Sequence, residues 1–370
     1  MIYLVYFAAS AYFAYLARKA EDKKRFFLYS VLSVLITVML AGLRDYSIGT
    51  DVENYLNQRQ FWASAIEAES VGEYLKFYFS LGLLEPLFAL FLGSIAQLTG
   101  DFRLFLVLSH VVIVTCIYIG AFRLKHHARP ELVLLLFYLL YYNNSLNLIR
   151  QYMAMALVFA FFADLEERKF IRYFVAVLIA ALIHTTAIIS LIPLTIYLIL
   201  YPKKEMEAAS AARTIFVCGI VLVGVFFFIP LIKLAIQWGF FPKKYQYYFQ
   251  DKLTRLAMTR LLIRILEITG LILCYKKLRT HNNHLEFYLV NTVTFMALLE
   301  MSRRIAHGQR IPLHFAFANI VTVSMLESCH EKKTERLVWT AMIVFLAAYY
   351  WYHTYVLGMG SETVPYKFGF

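Results

Sequence analysis

Residues 102–123 read FRLFLVLSHVVIVTCIYIGAFR, an apolar run whose only charged side chains, Arg103 and Arg123, stand at its two ends. A helix of that length rises about 33 Å, enough to cross the hydrocarbon core of a bilayer. Comparable stretches recur at 1–17, 26–43, 78–98, 131–145, 150–164, 172–184, 186–200, 214–236, 260–275, 286–301, 310–327 and 337–357. Apolar residues make up 61% of the chain, charged residues only 16%, and the mean hydropathy is +0.62. Soluble domains carry roughly a quarter charged residues. A soluble globule of 370 residues with this composition would expose large apolar patches, whereas lipid tails solvate them. The sequence therefore predicts an all-α fold: a polytopic membrane helix bundle, one integral membrane domain over residues 1–370. About 12 transmembrane helices are expected, within a range of about 11–14.

Loops rich in Lys and Arg should face the cytoplasm. These are 18–25, 123–129, 168–172, 203–213, 276–279 and 332–336. No basic residue precedes the first stretch and no small-residue cleavage pattern follows it, so it reads as an uncleaved span with its N-terminus outside. From residue 123 onward the loops alternate, leaving 142–150, about 184–186, 237–258, 302–310 and 358–370 outside. Parity fails between 18–25 and 123–129, which three candidate spans separate. The segment 78–98 carries Glu85-Pro86 with Gly82, Gly93 and Gly100 around it, and is expected to be re-entrant. The alternative is that one basic loop faces the other way. The outer (periplasmic) loop 44–77 holds Val52, Tyr55, Leu56, Trp62, Ala63 and Ile66 at helical spacing. This predicts a short amphipathic interfacial helix near 51–66, capped by Thr50 or Asp51.

The net charge of +12 belongs to membrane surfaces on this reading, and no nucleic-acid partner is expected. Cys116, Cys218, Cys274 and Cys329 form no CxxC pair, so neither a disulfide framework nor a zinc site is suggested. A Walker A loop, HExxH, a Gly-rich dinucleotide motif and a carboxylate cluster for a divalent ion are all absent from the sequence. Neither a cofactor nor a catalytic metal is expected.

Against the positive-inside rule stand the outer basic residues. They group as Arg44, Arg59 and Lys76; Arg150; Lys233 with Lys243, Lys244, Lys252, Arg255, Arg260 and Arg264; and Arg303, Arg304 and Arg310. Snorkelling to headgroups accounts for any one of them. Together they suit a phosphate or pyrophosphate, which a guanidinium grips with two hydrogen bonds. Arg150 is the sharpest case. The polar segment Tyr141-Tyr142-Asn143-Asn144-Ser145-Leu146-Asn147 breaks the apolar run, and a helix is expected to restart near Arg150-Gln151, adding charge to unpaired N–H groups. His184 interrupts the run from Phe170 to Leu200. It is either structural or a general base, since polar side chains in membrane helices are costly. Asp51 is either a helix cap or a second candidate base. Around Lys243-Lys244, the loop 237–258 holds Trp238, Phe240, Phe241, Tyr245, Tyr247, Tyr248 and Phe249, which fits sugar rings and anionic lipid as well as an interfacial belt.

Taken in order, Gly42-Leu43-Arg44, Gly49-Thr50-Asp51 with Tyr55, Glu85-Pro86-Leu87-Phe88, Arg150-Gln151, then Ala181 with His184 and Thr186 resemble the EpsG/Wzy family of bacterial polysaccharide polymerases. The resemblance covers roughly residues 40–200, and the closing Pro365-Tyr366-Lys367 also fits. Around Arg304 the chain departs from the pattern: His307-Gly308 stands where aromatics would follow. The resemblance implies a glycosyltransferase in the bacterial cytoplasmic (inner) membrane with its active site on the periplasmic side. It would move a glycan from undecaprenyl pyrophosphate onto a sugar hydroxyl of another lipid-linked repeat unit, without a metal. His184, Asp51 and Arg150 are the expected catalytic residues. Arg44, Tyr55, Glu85, Gln151, Arg303, Arg304, Lys243, Lys244 and Tyr366 are expected to bind substrate. The expected partners are the lipid-linked oligosaccharide and the bilayer, with room for a chain-length regulator protein. Three readings compete: a flippase for the same lipid-linked oligosaccharide, an O-antigen ligase, and a membrane O-acyltransferase.

Overall fold

A computed structural model describes residues 2–203, 209–239, 258–303, 305 and 308–369. Among them no strand forms, and the one extended pairing is an isolated bridge between Arg44 and Phe368. The long apolar runs become α1 (Ile2–Lys19), α2 (Lys23–Gly42), α6 (Pro86–Thr99) and α7 (Phe102–Arg123), with short α3 (Val52–Asn57), α4 (Trp62–Glu67) and α5 (Val71–Ser80) between them. Next come α8 (Pro130–Phe137), a π-helical turn over Tyr138–Tyr142, α9 (Asn143–Ser145), α10 (Ile149–Ala160), α11 (Ala163–Glu166) and α12 (Phe170–Ile183). The chain continues through α13 (Leu191–Leu200), α14 (Ala211–Gln237), α15 (Met258–His281), α16 (Leu285–Ser302), α17 (Leu313–Met325) and α18 (Lys333–Trp351). Among the described residues three stretches are long and apolar enough to cross a membrane: Lys23–Gly42, Phe102–Arg123 and Ala211–Leu231. The described residues pack as two compact units, 1–188 with 338–370, and 189–337.

Arginine contacts mark the two ends of the first unit. At one end, Arg18 closing α1 grips Glu131 in the first turn of α8 with two hydrogen bonds of 2.8 and 2.7 Å. At that end too, Arg123 closing α7 reaches Asp164 at 2.5 Å. The basic loops 18–25, 123–129 and 168–172 therefore share it. At the other end, Arg103 opening α7 donates to the Gly42 carbonyl at 2.8 Å, so α2 finishes where α7 begins. Residues 45–101 thus return to the end they leave. Within them α6 has 14 residues and spans only about 21 Å. It packs back on α5 so closely that a Cβ at Gly93 would lie 2.7 Å from the Tyr74 ring.

One local expectation needs correction. The single amphipathic helix near 51–66 is broken at 58–61 into α3 and α4, because Phe61 turns inward beside Tyr55 and Phe88. Asp51 stands at the start of α3 but its side chain makes no capping bond there. Within 142–150, Asn143, Ser145 and Asn147 are buried. The closing segment of the chain supplies partners for the two asparagines. Asn143 donates to Thr363 Oγ1 at 2.8 Å and accepts from the Trp351 indole at 2.8 Å, while Asn147 donates to the Ser361 carbonyl at 3.1 Å. Tyr3 adds a 2.7 Å bond to the Thr363 carbonyl. Gly49 belongs to the same knot: it has φ +100°, and a Cβ there would lie 2.4 Å from Asn147 Oδ1.

In the second unit Arg279 pairs with the buried Glu286 at 2.7 Å, and Arg213 donates to the Leu200 carbonyl at 2.9 Å. These contacts gather the residues flanking loops 203–213 and 276–279. Asn319 on α17 donates to Glu267 on α15. Along α14, Phe216, Val223, Phe226 and Leu231 are exposed, as expected of a helix facing lipid.

Candidate active site

Glu85 directly precedes α6, where Pro86 occupies the first helical position and needs no N–H partner. Its carboxylate joins two segments far apart in sequence. Oε2 pairs with Arg150 Nη1, and Oε1 lies 2.6 Å from His184 Nδ1. The backbone N–H of Thr185 donates to Oε1 as well, at 3.1 Å.

Local backbone explains how each side chain arrives. Arg150 sits in the first turn of α10, which starts afresh at Ile149 after the buried polar knot. His184 follows α12 in extended conformation (φ −151°, ψ 116°), and a 3-10 turn over Thr185–Ser190 comes next. That break presents both the His184 ring and the Thr185 N–H to one carboxylate.

Aromatic rings hold the Arg150 guanidinium. Its carbon lies 4.9 Å from the Phe61 ring centre, 5.4 Å from Phe88 and 5.8 Å from Tyr55, within cation–π range. Nε donates to the Tyr55 hydroxyl at 3.4 Å. Tyr78, buried, borders the same ion pair. The Arg150 side chain keeps 24% of its surface exposed and Glu85 9%. The pair is thus shielded enough for electrostatics to be strong, yet the guanidinium remains reachable by a ligand.

The expected site residues divide as follows. Tyr55, Glu85, Arg150 and His184 form one cluster. Gln151, next to Arg150, is buried on α10, and Asp51 lies one turn before Tyr55. Arg44 is fully buried: Nη2 donates to the Leu146 carbonyl at 3.0 Å, while Nε and Nη1 meet no partner among the described residues. Tyr366 borders Arg44, packs edge-on against Tyr3 at 5.4 Å, and donates to the Leu40 carbonyl at 2.8 Å. Arg303 belongs to the second unit and pairs with Glu300. Arg304, Lys243 and Lys244 lie outside the described residues, as does most of the loop 237–258. Sequence reasoning missed the cage made by Phe61, the contribution of Phe88 and Tyr78, and the joining role of Glu85. Only Phe88 had a signal, its place in Glu85-Pro86-Leu87-Phe88.

These motifs, scattered over residues 42–186 and 365–367, meet at one end of the first unit, and the EpsG family model matches residues 3–368. The chain belongs to the EpsG family. Comparisons with curated proteins and with solved structures return no match. Membership and the apolar helices together make this EpsG-family chain a membrane protein, and the family supports a polysaccharide-polymerase type of function, glycosyltransferase-like in chemistry. In the Glu85 cluster one carboxylate meets both the His184 imidazole and the Arg150 guanidinium.

Proposed function

We propose that this EpsG-family protein is a polysaccharide polymerase and that glycosyl transfer takes place at the Glu85 cluster. A glycan on undecaprenyl pyrophosphate passes to a sugar hydroxyl of a second lipid-linked repeat unit. The observation that carries this reading is the shared carboxylate, which fixes His184 and Arg150 at once. With Nδ1–H donated to Oε1, Nε2 of His184 keeps its lone pair for the acceptor hydroxyl proton. As the hydroxyl oxygen attacks the anomeric carbon, the bond from that carbon to the pyrophosphate oxygen breaks and its electron pair leaves with the phosphate. Negative charge therefore grows on the leaving group, and Arg150 is the donor set to receive it. The transfer is metal-independent on this account, because the guanidinium takes the place of a divalent ion.

Tyr55, Gln151 and Asp51 are assigned to acceptor-sugar binding, with Asp51 as the competing base. Arg44, Arg303, Arg304, Lys243, Lys244 and Tyr366 are assigned to holding the lipid-linked substrates. Both substrates carry polyprenyl tails, which a catalyst embedded in the bilayer takes laterally. Displaying surface polysaccharide on a gel after deletion of the gene tests the class of function. Loss of the ladder with a single repeat unit remaining is expected; loss of every repeat unit identifies a flippase instead.

The proposed topology has about twelve spans in the bacterial inner membrane, 78–98 being re-entrant, with the Glu85 site on the periplasmic side. The return of residues 45–101 to the end they leave supports it, since it restores parity between the basic loops. Reporter fusions at Lys277 and Lys333 should report cytoplasm, and fusions near Trp238 and Gly360 the outside. A cytoplasmic signal at Gly360 would overturn the assignment.

A further inference from the structure

We propose that His126, His127 and Glu166 form a binding site for a zinc-class divalent cation at the end of the first unit remote from Glu85. The two histidines lie in the tight turn after α7, where His127 N–H donates to the Leu124 carbonyl at 2.9 Å. Glu166 closes α11. Both imidazoles aim Nε2 at one carboxylate oxygen: Oε2 of Glu166 lies 3.3 Å from His126 Nε2 and 2.7 Å from His127 Nε2. All three donor atoms fall within 4.8 Å of one another.

These separations are near those a metal requires. Ligands about 2.0–2.2 Å from a tetrahedral ion stand roughly 3.3 Å apart. The His126 contact already has that spacing, and the His127 contact has to open by a little over half an ångström. The frame around the site is held by other bonds: Arg123 donates to the Ala160 carbonyl at 3.1 Å and to Asp164 at 2.5 Å, pinning the end of α7 beside α11. The site is half walled. His127 and Glu166 keep 5% and 7% of their side-chain surface, whereas His126 keeps 56%. The exposed ring gives a route in, and a water can complete the fourth position.

The donor set decides the class of ion. Two imidazoles with one carboxylate suit Zn2+ and its neighbours, whereas Mg2+ and Ca2+ prefer oxygen alone. The competing arrangement is a metal-free ion pair, one carboxylate accepting from two rings. It predicts no retained ion. Along α7 the cluster lies about 27 Å from Phe105, which packs against Tyr55 of the Glu85 cluster. A cation here takes no part in transfer. It joins the turn after α7 to α11.

The test uses the full-length protein, purified in detergent on a tag without histidine. After stripping with a chelator it is equilibrated with Zn2+ in excess Mg2+, and unbound ion is removed. About one zinc per chain should remain, with a raised melting temperature. His126→Gln changes the exposed ring and spares the fold. It and Glu166→Gln should each lower zinc affinity by more than the roughly ten- to hundred-fold caused by losing a hydrogen-bonding neighbour of a ligand. His281→Ala, on the exposed end of α15, should change nothing. A stripped wild-type protein that retains no zinc overturns the proposal, and so does equal retention by wild type, His126→Gln and Glu166→Gln. Because the readout is retained metal, failure here leaves the polymerase reading untouched.

Discussion

Arg150→Ala should leave only single repeat units at the cell surface, and Arg150→Lys should make a short, faint ladder. The geometry explains the ranking. The guanidinium is held against Phe61, Phe88 and Tyr55, joined to Glu85 through one nitrogen and to Tyr55 through Nε. One donor aimed at developing negative charge is typically worth about a hundred- to a thousand-fold in rate. Losing a whole guanidinium should cost at least that much. Lysine keeps the charge but not the planar fork, so it cannot hold Glu85 and a phosphate oxygen together. A second effect must be separated from the first. Removing one partner of a buried ion pair typically costs about 3–5 kcal/mol, because the other charge stays behind. Membrane abundance and melting temperature must therefore be measured beside the ladder. A normal ladder from Arg150→Lys and Arg150→Ala alike would remove Arg150 from the chemistry.

His184→Ala and Glu85→Gln should also stop chain extension, for different reasons. Removing a general base typically costs about a hundred- to ten-thousand-fold. His184→Ala keeps the backbone bond that caps α12 and leaves Glu85 paired with Arg150 and the Thr185 N–H, so the variant should be folded and at normal abundance, which is measured beside the ladder. Glu85→Gln keeps the size of the side chain and an acceptor for Nδ1–H, but loses the charge that offsets both Arg150 and the imidazolium formed in the reaction. A comparable change behind a catalytic histidine costs up to about four orders of magnitude. Asp51 is the rival base. A normal ladder from His184→Ala with none from Asp51→Asn would exchange the two roles, and normal ladders from both would displace the site.

Much of this site was legible because its signals are local. The polar run Tyr141–Asn147 and the break at His184 both interrupt apolar helices, and interruption at membrane depth is costly enough to stand out. The fresh helix start at Ile149 follows from the same reading. What stayed hidden is tertiary. Glu85 is 65 residues from Arg150 and 99 from His184, and no periodicity encodes that meeting. Sequence alone therefore gives Glu85 only as a substrate-binding residue, whereas its carboxylate lies between Arg150 and His184, two of the three expected catalytic residues. Helical spacing over 51–66 was real, yet it could not reveal that Phe61 breaks the helix to pack beside Arg150. The burial of Asn143 and Asn147 was equally invisible, since their partners come from the opposite end of the chain. Arg44 shows the same limit: its charge was plain, its complete burial was not.

The most direct test is chain extension by purified protein in lipid vesicles, supplied only with lipid-linked repeat units and with Mg2+ and Mn2+ omitted. Wild-type protein and His184→Ala are compared at equal, verified folded concentration. The account predicts glycosidically linked multimers from the wild type and single repeat units alone from the variant. Multimers of the same length and rate from His184→Ala, or a wild type that moves repeat units across the bilayer without joining them, would contradict it.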